Sequence, residues 1–318
     1  MRCTPTSTAD RTVSDAFDAV VLLGFGGPRT PDEVRPFLDR ILAGRPVSPE
    51  RYEAVVNNYR AIGGSSPYNE RTERQAEALA AALRARGIET PVTIAYRNVE
   101  PFNDDIARVL ASYGARKVLG VPLAVFGGEE SNERYIREFD RALAAAGSAA
   151  PAVTYLEPFF DDPAFVGAQA EAIREALASL GRASFDGVRV IFTAHSIPTA
   201  TPGSYADDFA RAARLVAEEL ALPDWSIAYQ SRSGSPQTPW LGPDVRDEMR
   251  ALPAADIADV ILVAIGFLCD HVEVLYDLDV DAAGIASEVG VRCVRAETMN
   301  ARPAFIAVLA DHVATALG

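Results

Sequence analysis

Apolar residues in this chain fall in short continuous runs rather than in strict alternation. They stand at 17–25 (FDAVVLLGF), 91–97 (PVTIAYR), 117–126 (KVLGVPLAVF) and 152–158 (AVTYLEP), then at 188–194 (VRVIFTA), 225–231 (WSIAYQS), 259–267 (DVILVAIGF) and 291–297 (VRCVRAE). Runs of this length, rich in Val and Ile, predict strands buried on both faces. Between them the spacing turns helical, as in 74–87 (RQAEALAAALRARG) and 208–222 (DFARAARLVAEELAL). Buried strands alternating with amphipathic helices predict parallel sheets with right-handed crossovers, that is, doubly wound α/β folding. The strands divide four and four at similar spacing. The expected architecture is two similar α/β domains with parallel four-stranded sheets, at 16–160 and 161–318. Residues 1–15 are polar and rich in Ser and Thr and read as a disordered tail.

Charge narrows the partners. Acidic residues outnumber basic ones, 44 to 30, for a formal net charge of -14. Nucleic acid is excluded as a partner, because phosphate binding needs clustered Lys and Arg. The longest apolar stretch, VILVAIGFLC at 260–269, is too short to span a bilayer. No basic leader precedes an apolar segment, so no secretory signal is expected. The cysteines are Cys3, Cys269 and Cys293, with no CxxC pair. Three do not make a disulfide framework, and the last two read as buried thiols in a reducing cytoplasm.

Doubly wound sheets bind ligands beyond the carboxyl ends of their strands. The first strand ends in GFGGPRT, 24–30, a tight glycine turn that is neither GxGxxG nor a P-loop. The fifth ends in TAHS, 193–196. A histidine there is either a base or metal ligand, or a satisfied core residue. The seventh leads into GFLCDHVEVLYDLD, 266–279, where Asp270, Glu273 and Asp277 are three and four apart. On a helix they share one face. That face is either solvated or a line of carboxylates able to bind a cation or pass protons. VRPFLDRIL, 34–42, reads as a core-facing helix in preference to an amphipathic lip.

Several segments in order carry a family likeness. TAHSIP (193–198), YQSRSGSPQTPWLGPDV (229–245) and the acidic segment resemble ferrochelatase, as do LLGFGGPRTPDEV (22–34), YRAIGGSSPYN (59–69) and YRNVEPF (96–102). The likeness covers roughly residues 17–317. It implies a class II chelatase-like fold and insertion of Fe²⁺ into protoporphyrin IX or coproporphyrin III with release of two protons. It implies that His195 and Glu273 are catalytic and metal-binding and face each other across the porphyrin plane. It puts Phe25 near the ring, and Arg45, Ser66, Arg97, Tyr135, Ser231 and Trp240 along the cleft, with Asp270 and Asp277 as relays. Arg45 and the hydroxyls suit propionates, and Trp240 suits a flat aromatic ligand. A neutral imidazole, pKa about 6.5, suits the removal of pyrrole protons.

The expected substrates are a porphyrin and ferrous iron, with no permanently bound cofactor. Neighbouring haem-pathway enzymes are implied as transient partners. Some relatives hold a [2Fe–2S] cluster through four cysteines. This chain has three, and Asn132 stands about where one ligand would come, so no cluster is expected. Glu129 and Glu130 depart from the serines, aromatics and proline of many relatives. The alternatives are a cobalt or nickel tetrapyrrole chelatase and a non-catalytic porphyrin or haem carrier. The GSPQTPWLGP stretch weighs against the first, and a histidine paired with a carboxylate against the second.

Overall fold

A computed structural model describes residues 16–44, 47–233, 237–252 and 257–318. Arg45 and the N-terminal tail lie outside the described residues. The strands are β1 (Ala19–Gly24), β2 (Val92–Tyr96), β3 (Lys117–Pro122), β4 (Ala152–Tyr155), β5 (Val188–His195), β6 (Trp225–Gln230), β7 (Asp259–Val263) and β8 (Arg292–Ala296). They form two parallel four-stranded sheets, ordered β2-β1-β3-β4 and β6-β5-β7-β8. Each apolar run read from the sequence forms one strand, β5 reaching one residue past its run to His195. The central strands β1 and β7 are buried at every position, as helices on both faces require. Edge strand β4 alternates exposed and half-buried residues instead.

The helices of the first half are α1 (Val34–Ile41), α2 (Pro49–Ala61), α3 (Tyr68–Arg84), α4 (Asn103–Ser112) and α5 (Asn132–Ala146). The second half adds α6 (Pro163–Ser179), α7 (Tyr205–Glu219), α8 (Val245–Ala251), a single turn α9 (Val272–Val274), α10 (Ala283–Val289) and α11 (Pro303–Leu317). Between α9 and α10, residues Leu275–Ala282 form a π-helix. Such wide turns are rare and recur at functional sites.

The stripe in α1 faces inward. Val34, Phe37 and Leu38 pack with Val56 and Tyr59 of α2 into a small cluster that also touches Phe25 and Val272. The main core crosses between the two sheets. Phe126, just past β3, is fully buried among Phe160, Tyr205 and Phe209, with ring centroids at 5.7, 5.6 and 5.8 Å. Gln75 of α3 donates to the carbonyls of Leu268 and Asn300 at 3.1 and 2.8 Å, tying the first half to the loops beyond β7 and β8.

Candidate active site

β5 delivers His195 as its last residue, and the chain beyond is pinned on several sides. The Ser196 amide donates to the Gln230 carbonyl at 2.8 Å, and its hydroxyl to the Leu241 carbonyl at 2.7 Å. Tyr205 donates to the His195 carbonyl at 3.0 Å. Pro198 pairs with Trp240 across a short antiparallel bridge. The backbone can therefore hold the imidazole steady, and Nδ1 lies 2.5 Å from the Ser196 carbonyl. With Nδ1–H donating there, Nε2 faces the site.

Glu273 enters from α9. His271 caps that turn, its Nδ1 accepting the Glu273 amide at 3.2 Å. His271 is itself wedged between Phe267 and Tyr68, at 4.5 and 6.2 Å between ring centroids. Gln230, which pairs with His195 across β5 and β6, donates to the Glu273 carbonyl. These contacts bring Glu273 Oε1 to 3.6 Å from His195 Nε2. A porphyrin needs about 3.5 Å of carbon contact on each face. No macrocycle fits between groups 3.6 Å apart. The expectation that they oppose each other across the ring is corrected: at this spacing they stand side by side.

Charge around the pair is set by burial and by neighbours. Burial lowers the His195 pKa, but the Glu273 carboxylate, the Ser196 carbonyl and Asp277 outweigh it and hold the imidazole above its usual value. Burial also disfavours the Glu273 carboxylate, yet His195, with help from His271, holds it below the usual range. Its side chain is 41% exposed, so water screens the pair. Asp277 goes the other way. Burial, Glu273 and Asp281 push it up to about 7, against a hydrogen bond from Ser231 and the pull of His195. Ser231 sits just past β6 with φ of 61°, left-handed backbone that a non-glycine residue rarely adopts. That turn aims its hydroxyl at Asp277.

Asp270 differs from expectation. The helix begins only at Val272, so Asp270 precedes it and is absent from the acidic face. It is buried against Arg295 at 3.2 Å, Thr298 at 3.0 Å and Asn300 at 3.2 Å, a fully partnered structural group. The face instead carries Glu273, Asp277 and Asp281. In an i→i+5 helix a spacing of four falls just short of one turn, which keeps them in line.

Phe25, Ser66, Arg97 and Tyr135 come from the first half. Phe25 follows β1, and its amide donates to the Tyr68 hydroxyl at 2.9 Å. Since Tyr68 also meets His271, one chain of contacts links Phe25 to Glu273. Arg97 stacks on both Phe25 and Tyr135, at 5.1 and 5.3 Å. Ser66 is buried in the wall of the first turn, its amide on the Pro28 carbonyl at 2.8 Å. Trp240 is half-buried, and its indole N–H has no hydrogen-bond partner among the described residues. Tyr68, Tyr205 and Gln230 were not singled out in the sequence. Gln230 had a signal, as the last residue of the strand beside TAHS. Two cavities, of about 420 and about 370 Å³, lie elsewhere, along the segment 155–162, and touch none of these residues.

The two doubly wound sheets thus carry an imidazole and a carboxylate that converge beyond the strand ends of the second. The fold is shared by SirB from Bacillus subtilis solved with Fe³⁺, at TM-score 0.56 and 14% identity over 94% of this chain and 95% of that one. It is shared also by CbiX, titled the terminal enzyme of sirohaem biosynthesis in denitrifying bacteria, at TM-score 0.56 and 19% identity over 94% and 100%. The chain belongs to the ferrochelatase family, whose profile matches residues 17–317. It is an enzyme that inserts Fe²⁺ into a porphyrin in haem biosynthesis. It is 41% identical to the coproporphyrin III ferrochelatase of Mycolicibacterium paratuberculosis over 302 residues, 93% of this chain and 87% of the relative. It is 42% identical to that of Mycobacterium tuberculosis over 296 residues, 91% and 83%. Among the described residues no helix is long and apolar enough to cross a membrane.

Proposed function

We propose that the porphyrin is coproporphyrin III, that His195 takes the pyrrole protons, and that Glu273 grips the incoming iron. The substrate reading rests on the relatives' names together with their identity over most of the chain. The roles rest on one observation, the 3.6 Å contact between His195 Nε2 and Glu273 Oε1 at the converging strand ends. Removing two protons from the ring nitrogens needs an acceptor on the face where the metal arrives, because both events use the same lone pairs. An imidazole and a carboxylate side by side supply proton acceptor and metal donor on that face. Asp277, pushed up to about 7, exchanges protons readily near neutral pH and suits the relay that carries them outward. Phe25, Tyr135, Ser66, Ser231 and Trp240 line the cleft, and Arg45 serves a propionate.

No permanent cluster is part of this reading. Burial pushes the thiols of Cys269 and Cys293 up, away from the thiolate form that an iron–sulfur cluster needs.

The test is anaerobic Fe²⁺ insertion on coproporphyrin III and protoporphyrin IX in parallel, with His195→Ala beside the wild type. Coproporphyrin III should have the higher kcat/KM, and His195→Ala should lose about 10²–10⁴-fold, the usual worth of a general base. Faster turnover of protoporphyrin IX overturns the substrate. A variant keeping more than about a tenth of the activity removes His195 from the chemistry.

A further inference from the structure

Phe25 leaves β1 one residue past the strand, and its ring is held on two sides. Phe37 meets it edge-on at 6.2 Å. The Arg97 guanidinium lies over it, 5.1 Å from its centroid, and the same guanidinium lies 5.3 Å from the Tyr135 ring of α5. One cation is thus shared by two rings. The tilt of a guanidinium is set by whatever takes its N–H groups. Here Nε and Nη2 both donate to Glu138, at 2.7 and 2.9 Å. Two parallel bonds to one carboxylate fix the plane as well as the position. Glu138 lies three residues beyond Tyr135, so a single helix face supplies both the ring and the carboxylate.

The carboxylate is anchored in turn. Arg134 reaches Glu138 at 3.4 Å and Glu130 at 2.5 Å. Glu130, Arg134 and Glu138 stand at four-residue spacing and lead inward to Arg97, whose side chain is only 10% exposed. The charges alternate along the row. Glu130, out of place against the family pattern, is its outer end.

We propose that Glu138 is a positioning residue for iron insertion: through Arg97 it sets the tilt of the Phe25 ring, and it withholds Arg97 from the carboxylates of the porphyrin. The proposal rests on the site described under Proposed function and deepens it. A free arginine beside a porphyrin cleft would bind a propionate. Arg97 has its two-pronged edge already occupied, so a propionate gains nothing there unless it displaces Glu138. The cation therefore acts on the rings, where its contact is directional but weak, and the fork makes up for that weakness by fixing geometry.

The consequence is a split between kcat and KM. Glu138→Gln loosens the ring and frees a cation. We expect kcat to fall about 3- to 30-fold, the span of a stacked cation contact. KM for porphyrin should stay level or drop, because a new carboxylate partner has appeared. A general packing defect would raise KM and lower Tm instead. Glu138→Asp, which keeps the charge, should recover part of the loss. The second arm is a cycle with Phe25→Leu, which removes the ring being positioned. In that background Glu138→Gln should cost less than about twofold, well inside the expected span. The proposal is overturned if kcat of Glu138→Gln stays within twofold of wild type, if porphyrin KM rises, or if the two substitutions multiply. Each variant is read on both porphyrins. A wild-type preference for protoporphyrin IX would sink the substrate reading and still leave the ratios between variants legible.

Discussion

A histidine beside a carboxylate is an ion pair at low pH and a base at high pH, and its neighbours decide where the change falls. Glu273 holds His195 above the usual imidazole value against the opposing effect of burial. A raised value keeps the proton on, so the ring can accept a pyrrole proton only once pH has climbed past it. Insertion should therefore rise with pH through a midpoint above about 6.5. Glu273→Gln deletes the main raising influence and leaves burial, so the His195 midpoint should then fall below its wild-type position. A pH titration of the His195 ring signals by NMR in the free protein reads this without turnover. In steady-state assays Glu273→Gln should abolish insertion while porphyrin still binds, as followed by fluorescence quenching. Asp277→Asn should slow turnover modestly or raise KM for iron, and leave porphyrin affinity alone. The roles along this helix are wrong if Asp277→Asn is the more damaging change, or if the His195 midpoint rises when Glu273 is neutralised.

Elements were more legible than the groups they carry. Each predicted strand formed, because a buried parallel strand writes itself as a continuous apolar run. The position of His195 at the end of β5 was legible for the same reason: the run simply stops there. The acidic helix was read less well. Three carboxylates at spacings of three and four fit an α-helix, but the segment opens at Val272 and widens into a π-helix at Leu275. No local pattern marks an i→i+5 turn, since propensity is nearly the same for both ladders. Asp270 was misplaced because its partners Arg295, Thr298 and Asn300 lie 25 to 30 residues away, beyond any periodicity. The α1 stripe faces inward, as its spacing implies, and it has a consequence for the site. Phe37 is buried in the α1–α2 cluster and is one of the two supports of Phe25. Phe37→Ala should cost about 3–5 kcal/mol if only cavity and transfer act. Because the cluster is small and near the surface, we expect the lower end. Thermal denaturation and porphyrin KM should both respond. Loss of stability with unchanged KM would show that Phe37 does not help shape the cleft.

At the scale of the whole molecule, two sheets do not make two independent folding units. β4 of the first sheet ends at Tyr155 and β5 of the second begins at Val188, but the apolar core runs across that division. One cluster runs from Leu22 and Leu119 of the first sheet to Val190 and Ile261 of the second. Its junction is Phe126, fully buried against Phe160, Tyr205 and Phe209. Polar ties follow the same line, with Gln75 on Leu268 and Asn300, and Arg86 on Asp311 at 2.6 Å. The site needs this arrangement. On the proposed reading His195 and Glu273 come from one half and Phe25 from the other, so a cleft of fixed width requires halves that do not drift. We therefore expect the wild type to unfold in one cooperative calorimetric transition, with calorimetric and van't Hoff enthalpies in agreement. Phe126→Ala should lower Tm by about 4–7 °C, from a cost of about 3–5 kcal/mol, and still give a single transition. Were the halves autonomous, the substitution would split the trace, with one peak left near the wild-type Tm. A split trace would also predict a floppy cleft, and iron insertion by Phe126→Ala should then collapse well below the temperature at which either half melts.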